Sequence, residues 1–452
     1  MDIFDLVLLN GTVIEPETKV HANLNVGIRG STIACIEREA LVGKKTVDCT
    51  GMMVTPGFID IHSHEDSLAF SDNPQNSPLP LETSIALLRT GVTTMIGGNC
   101  GFGGYPIGTY LERVRKAEIH LNYFTLIGYV SLRHRLNIDN YRSADGKEIN
   151  RLLAMVERAL QDGALGVSFG LQYAPGISTS EVIAVSEVVK RHGKFIAVHM
   201  RYDYPEKALE TVGEITEVVE KTGVSAQISH LPANVYGDNN LENALKLLEY
   251  YNENGFDIKA DAYPYNAWAT TIKSAVFDEG VGNYNFLFED IEILTGPYAG
   301  KRCNPDLFHK LRNQQEDTHV ACHNAMPLRD LERALAHPLV YIGSDGQLCR
   351  DEKGNIMGHP RAAGSHSRFI GRFVREKKLV DIDLAIEKMT FGPAKKLNLP
   401  RKGRLQEGKD ADICVFDFNQ IADRSNFGVN TCALPAAGIK YVIVNGKIVY
   451  KT

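Results

Sequence analysis

Residues 55–66 read TPGFIDIHSHED, a short apolar run that stops in a His-X-His pair, His62 and His64, with Asp66 after it. Side chains two apart on a strand project the same way, so both imidazoles face one side where the run ends. The same form recurs along the chain. TTMIGG (93–98), YFTLIGY (123–129), ALGVSFG (164–170), FIAVHM (195–200), SAQISH (225–230), DIKADAY (257–263) and LVYIGSD (339–345) are apolar runs, each followed by an amphipathic helical pattern. Alternating strand and helix patterns predict the α/β class, and eight such units predict a (β/α)₈ TIM-type barrel over residues 55–397. A ninth run, THVACHN (318–324), lies in an irregular stretch from about 277 to 326, which is expected to be an insertion before the last barrel strand. The same run would also permit a different strand count.

Both chain ends read differently. LVLLNGTVIE, ANLNVGIRG and STIACIE near the start, and ADICVFDF and YVIVNGKIVYK near the finish, alternate apolar and polar residues around Asn-Gly and Arg-Gly turn signals. Residues 1–54 and 398–452 are therefore expected to build one small β-sandwich from both termini, with hairpins at LNGT and VNGK.

Composition narrows the partner. The chain has 452 residues, 44% apolar and 23% charged, with 49 basic against 55 acidic side chains and a net charge of −6. No basic face offers itself to nucleic acid or an anionic membrane, so a small-molecule substrate is expected. No run approaches the ~20 apolar residues that span a bilayer, and Asp2 and Asp5 stand where a signal peptide would be basic, so a cytoplasmic location is expected. The eight cysteines are scattered, without zinc-ribbon pairs or disulfide density.

In a barrel of this kind chemistry sits where the strands run out, and five of these runs end in metal-ligand residues. Besides His62 and His64, they supply Cys100 in GGNCGFGG, His199 in FIAVHMR, His230 in SAQISHL and Asp345 in LVYIGSDG. Imidazoles with a thiolate and a carboxylate suit a borderline cation, Zn²⁺ first. Zinc can lower the pKa of water toward ~7, and Asp345 is the expected general acid/base that takes the water's proton and passes it to a leaving nitrogen. Hydrolysis of an amide follows as the reaction class.

These residues resemble the amidohydrolase superfamily, and GNCGF, GALGVSFGLQYAPG, VHMR and GHPRAAGS resemble its D-aminoacylase branch, the N-acyl-D-amino-acid deacylases. The resemblance runs through GRLQEGKDADICVFD and covers nearly the whole chain. It implies a tightly held zinc on Cys100, His199 and His230, and a second, weaker site on His62, His64 and Asp345. Relatives of the hydantoinase and dihydroorotase types bridge two metals with a carboxylated Lys on the fourth strand. ALGVSFG has none, and a Cys100 thiolate can supply that charge.

The resemblance further implies that Arg361 in GHPRAAGS captures the substrate carboxylate and that Tyr263 in DAYPYNAW donates to the same group. The chain departs from many relatives just after His230, where they carry Lys and it reads Leu231-Pro232, and at Ala269, where they carry Ser. The implied reaction is hydrolysis of an N-acyl-D-amino acid to a carboxylate and a free D-amino acid. Hydrolysis of a cyclic amide or a D-containing dipeptide at the same metal is the alternative, and a catalytically silent scaffold is a third reading. Glu65, Asp66, His323, His359 and His366 are further pocket candidates.

Overall fold

All eight apolar runs form strands in a computed structural model that describes residues 3–64, 81–284 and 286–452. Phe58–Asp60 pairs in parallel with Val92–Gly97, and that strand with Asn122–Thr125. One residue on, Ile127–Gly128 opens a second parallel set, followed in spatial order by Gly166–Gly170, Phe195–His199, Ser225–Ile228, Ile258–Ala262 and Val340–Ile342. The fold is thus of mixed α/β type, its strands buried on both faces and rich in Val, Ile and Ala, as parallel strands covered by helices must be.

The last of these strands meets the first through residues just beyond their ends. Ser63 and Gly346 form a parallel bridge, the Asp345 amide donates to the His62 carbonyl at 2.7 Å, and the His64 amide donates to the Gly346 carbonyl at 2.9 Å. Asp60 clamps the same junction by accepting from the Ser344 amide at 2.8 Å and from the Ser344 hydroxyl. Burial pushes the Asp60 carboxyl up to about 7 despite those donors.

Helices begin and end where local chemistry dictates. Asp145 and Glu148 form a capping box at the start of Gly146–Gln161, Ser178 caps Thr179–Arg191, and Gly223 closes Ala208–Thr222 in the left-handed conformation. Among the described residues no helix is long and apolar enough to cross a membrane.

Strands from both termini join one eight-stranded sheet, in which Met53–Pro56 pairs with Ile413–Phe416 on one side and with Ile3–Glu15 on the other. The two Asn-Gly signals behave differently. Asn445 and Gly446, both at positive φ, turn a hairpin between Ile439–Val444 and Lys447–Lys451. Asn10-Gly11 makes no hairpin: one strand runs through it from Ile3 to Glu15 and shifts register there as a bulge. The reason lies outside the dipeptide, since Val20–Arg29 pairs on both sides of the bulge and the Asn25 side chain accepts the Asn10 amide at 2.8 Å.

The run THVACHN is also not a ninth parallel strand. His319–Cys322 is the central strand of a separate antiparallel sheet, between Trp268–Thr271 and Ile291–Ile293.

Candidate active site

The loop after Val92–Gly97 brings Cys100 to the strand ends because two glycines permit its path. Gly98 and Gly101 have φ of 76° and 85°, and a Cβ at Gly101 would lie 2.6 Å from the Gly170 backbone nitrogen. Cys100, His230 and Asp345 themselves have positive φ, at 54°, 34° and 49°. Three non-glycine residues in that sparsely populated region, all in one site, mark backbone held by its surroundings for what the side chains do.

His62, His64, Cys100 and Asp345 bring one donor atom each within 4.8 Å of one another, and so do Cys100, His199 and His230. Every ligand expected from the sequence thus converges, and Cys100 belongs to both groups. Its sulfur lies 3.3 Å from His62 Nε2 and 3.7 Å from His230 Nε2, while Asp345 Oδ1 lies 3.3 Å from His62 Nε2 and 3.0 Å from His64 Nε2. Ligands around one tetrahedral zinc, with bonds of ~2.0 to 2.3 Å, sit ~3.3 to 3.6 Å apart.

The electrostatics of the cluster are those of a ligand set. Burial alone would raise the Cys100 thiol, but the His62 charge and the adjacent His199 and His230 imidazoles bring it well below its ordinary value. Burial likewise opposes charge on His64, yet the Asp345 hydrogen bond and the Cys100 sulfur push that imidazole up to about 10. For Asp345, burial is outweighed by Arg361 and His62, and its carboxyl falls well below the usual range. The sulfur and carboxylate are held anionic among imidazoles, a charge pattern that a divalent cation satisfies.

Three of the four imidazoles are also anchored to residues outside the ligand groups. His62 Nδ1 lies 3.0 Å from Asp261 Oδ1, His230 Nδ1 lies 2.9 Å from Asn234 Oδ1, and His199 Nε2 lies 2.8 Å from Gln172 Oε1. His199 Nδ1 is buried without a hydrogen-bond partner. Asp261, Asn234 and Gln172 escaped the sequence reading. Asp261 carried a signal, because it lies two residues before Tyr263 in one apolar run, and Asn234 lies one helical turn after His230.

A cavity of about 730 Å³ opens over the cluster, within the ~300 to 1,000 Å³ typical of small-molecule sites. Arg361 and Tyr263 line it together, the guanidinium 4.7 Å over the phenol ring. Arg361 Nε and the Tyr263 hydroxyl are both without hydrogen-bond partners, and Arg361 Nη1 contacts Asp345 Oδ2 at 2.7 Å. Ala269 lines the cavity through the strand that carries it, and its carbonyl lies 3.4 Å from Arg361 Nη2; Pro232 is buried in the short helix Leu231–Asn234.

The remaining candidates divide. His359 sits behind Arg361, accepting the Arg361 amide at 3.0 Å. His323 pairs with Glu292 at 2.9 Å and His366 stacks on Phe58, and neither lines the cavity. Glu65 and Asp66 lie outside the described residues.

Comparison with known proteins places this geometry in context. Residues 53–255 match the profile of an amidohydrolase family, and residues 320–450 match a second profile also described as an amidohydrolase family. The D-aminoacylase of Alcaligenes xylosoxydans xylosoxydans is 30% identical, over 99% of this chain and 95% of its own length. A crystal structure of N-acyl-D-glutamate deacylase from Bordetella bronchiseptica, complexed with zinc and a phosphonate mimic of the tetrahedral intermediate, superimposes with a TM-score of 0.85 at 25% identity, covering 99% of this chain and 97% of that one. A D-aminoacylase structure described for its binuclear metal centre gives a TM-score of 0.84 at 28% identity over the same shares of the two chains.

Proposed function

The chain belongs to the amidohydrolase family, in its D-aminoacylase branch, and from that membership we propose that it hydrolyses N-acyl-D-amino acids to a carboxylate and a free D-amino acid. The observation that carries this reading is the shared cavity, in which the converging donors and the unpartnered Arg361 and Tyr263 groups face the same space. Zinc is the metal it would hold, tightly on Cys100, His199 and His230 and more weakly on His62, His64 and Asp345, with the Cys100 sulfur common to both. When bound, zinc supplies a Lewis acid that lowers the pKa of water toward ~7 and polarises a carbonyl.

The chain's own residues do the rest. Arg361 offers parallel donors to the substrate carboxylate, and Tyr263 adds its hydroxyl. Their capture of that group sets the acyl carbon against the strand ends. Asp345 accepts the proton of the attacking water and returns it to the leaving nitrogen. With no Lys on the Gly166–Gly170 strand, the Cys100 thiolate would supply the negative charge that a carboxylated Lys would otherwise bring, which favours this branch over hydrolases of cyclic amides.

The parallel strands fit a closed (β/α)₈ barrel. Ile59, Ile96, Ala197 and Tyr341, from four of its strands, pack together with Leu126, and the Ser63–Gly346 bridge joins first strand to last. We place the barrel at residues 55–397 with the antiparallel sheet inserted before its last strand, and a β-sandwich at residues 1–54 and 398–452.

The test is a chirally resolved panel of N-acetyl and N-formyl amino acids, hydantoins and D-containing dipeptides on the zinc-loaded protein. Turnover confined to D-configured N-acyl substrates supports the reading. Preference for the cyclic amides or the dipeptides would replace it.

A further inference from the structure

His199 differs from the histidines around it in the nitrogen it turns inward. His62 and His230 give Nδ1 to Asp261 and Asn234, whereas His199 gives Nε2 to Gln172 and leaves Nδ1 buried and unpartnered. A neutral imidazole ligates through Nδ1 only when its proton sits on Nε2, so the bond at Nε2 selects the ligating tautomer.

Gln172 alone does not make that selection. Its amide can present oxygen or nitrogen, and turned over it would donate to His199 Nε2 and drive the proton onto Nδ1. Asp203 removes the ambiguity. Its Oδ1 lies 2.6 Å from Gln172 Nε2 and 3.0 Å from the Tyr284 hydroxyl. A carboxylate only accepts, so the amide nitrogen must face it and the amide oxygen must face His199. Asp203 is 5% exposed and Gln172 7%, which leaves little room for water to take over either role. Tyr284 lies in the segment between Trp268–Thr271 and Ile291–Ile293, and its ring packs edge-on against Trp268 of the antiparallel sheet that walls the cavity, so the contacts run from that sheet to the imidazole.

The geometry assigns Asp203 the role of a positioning residue: through Gln172 it holds His199 in the tautomer whose Nδ1 faces the cation, and through Tyr284 it ties that ligand to the inserted sheet. This rests on the reading of His199 as a zinc ligand. Burial pushes the Asp203 carboxyl up to about 7, against the donors from Gln172 and Tyr284, so the accept-only form prevails above that pH.

The test is a double-mutant cycle on the zinc dissociation constant of the metal-stripped, full-length protein, measured by chelator competition at pH 8. Gln172→Met should weaken zinc binding by ~10- to 100-fold, the range for partners that orient a metal ligand. Asp203→Ala should weaken it by about 10-fold alone and by nothing further in the Gln172→Met background, since it acts through Gln172. Losses that multiply in the double variant, or unchanged affinity in Asp203→Ala, would overturn the assignment. Should Asp203→Ala fail to fold, as judged by melting of the metal-free protein, the isosteric Asp203→Asn replaces it. Its amide offers Gln172 either face, so a loss of a few-fold that vanishes in the Gln172→Met background is expected, and an unchanged or additive effect overturns the idea. Cys100→Ala, run alongside, separates the two levels. Unchanged zinc affinity there removes Cys100 from the ligand set on which the proposed site rests, whereas zinc lost there with Asp203 variants unaffected defeats only the positioning role.

Discussion

Arg361 Nη1 lies 2.7 Å from Asp345 Oδ2, so the cation assigned to the substrate carboxylate also touches the carboxylate assigned to proton transfer. Before substrate arrives the two neutralise each other in the cavity wall, with Arg361 4% and Asp345 6% exposed. A substrate carboxylate entering the cavity competes for the same guanidinium. Binding and proton transfer therefore meet on one side chain.

Arg361→Ala should raise KM for N-acyl amino acids by on the order of 10- to 100-fold, the worth of a charge-assisted pair of hydrogen bonds. An otherwise matched substrate with an uncharged amide in place of the carboxylate should change far less. Steady-state kinetics on the two substrates checks this, and equal effects would argue against carboxylate capture.

Asp345→Asn should keep most of the zinc, because Cys100, His199 and His230 are untouched, and should lower kcat by on the order of 10²- to 10⁴-fold. Elemental analysis alongside turnover distinguishes the two effects. Near-normal turnover would remove Asp345 from the proton path.

Zinc uptake should release protons, and the sign follows from the cluster. His64 is held protonated, pushed up to about 10, while the Cys100 thiol already sits well below its ordinary value. A ligating imidazole must be neutral, so the protons come from histidine and apparent zinc affinity should rise as pH increases from 6 to 8. Calorimetric titration of the metal-free protein in buffers of different ionisation enthalpy measures the release. A pH-independent affinity with no protons released would contradict this charge assignment.

Gly101→Ala should lower both thermal stability and zinc affinity. The new Cβ would meet Gly170 backbone at 2.6 Å on a residue at φ 85°, strain costing on the order of 1 to 3 kcal/mol. Since Gly101 follows Cys100 directly, relief of that clash must move the sulfur. Thermal melting with and without zinc reads both consequences.

The strands were legible because burial on both faces leaves continuous apolar runs, and the ligands because each interrupts such a run at its end. Asn10-Gly11 and Asn445-Gly446 show the limit of local reading. The same dipeptide makes a bulge in one place and a hairpin in the other, and pairing with Val20–Arg29 decides between them. Gln172 and Asp203 were not legible for a related reason. Their work is to face a histidine or amide from another part of the chain, and nothing within each residue's own segment reports that meeting. His319–Cys322 has the composition of a parallel strand but pairs antiparallel within the inserted sheet, a choice made by partner and not by sequence.

X-ray absorption at the zinc edge of the loaded protein examines the central chemistry most directly. A first shell containing one sulfur at ~2.3 Å with nitrogen and oxygen at ~2.0 to 2.1 Å, its sulfur lost in Cys100→Ala, is the predicted result. A shell of nitrogen and oxygen alone in the unaltered protein would contradict it.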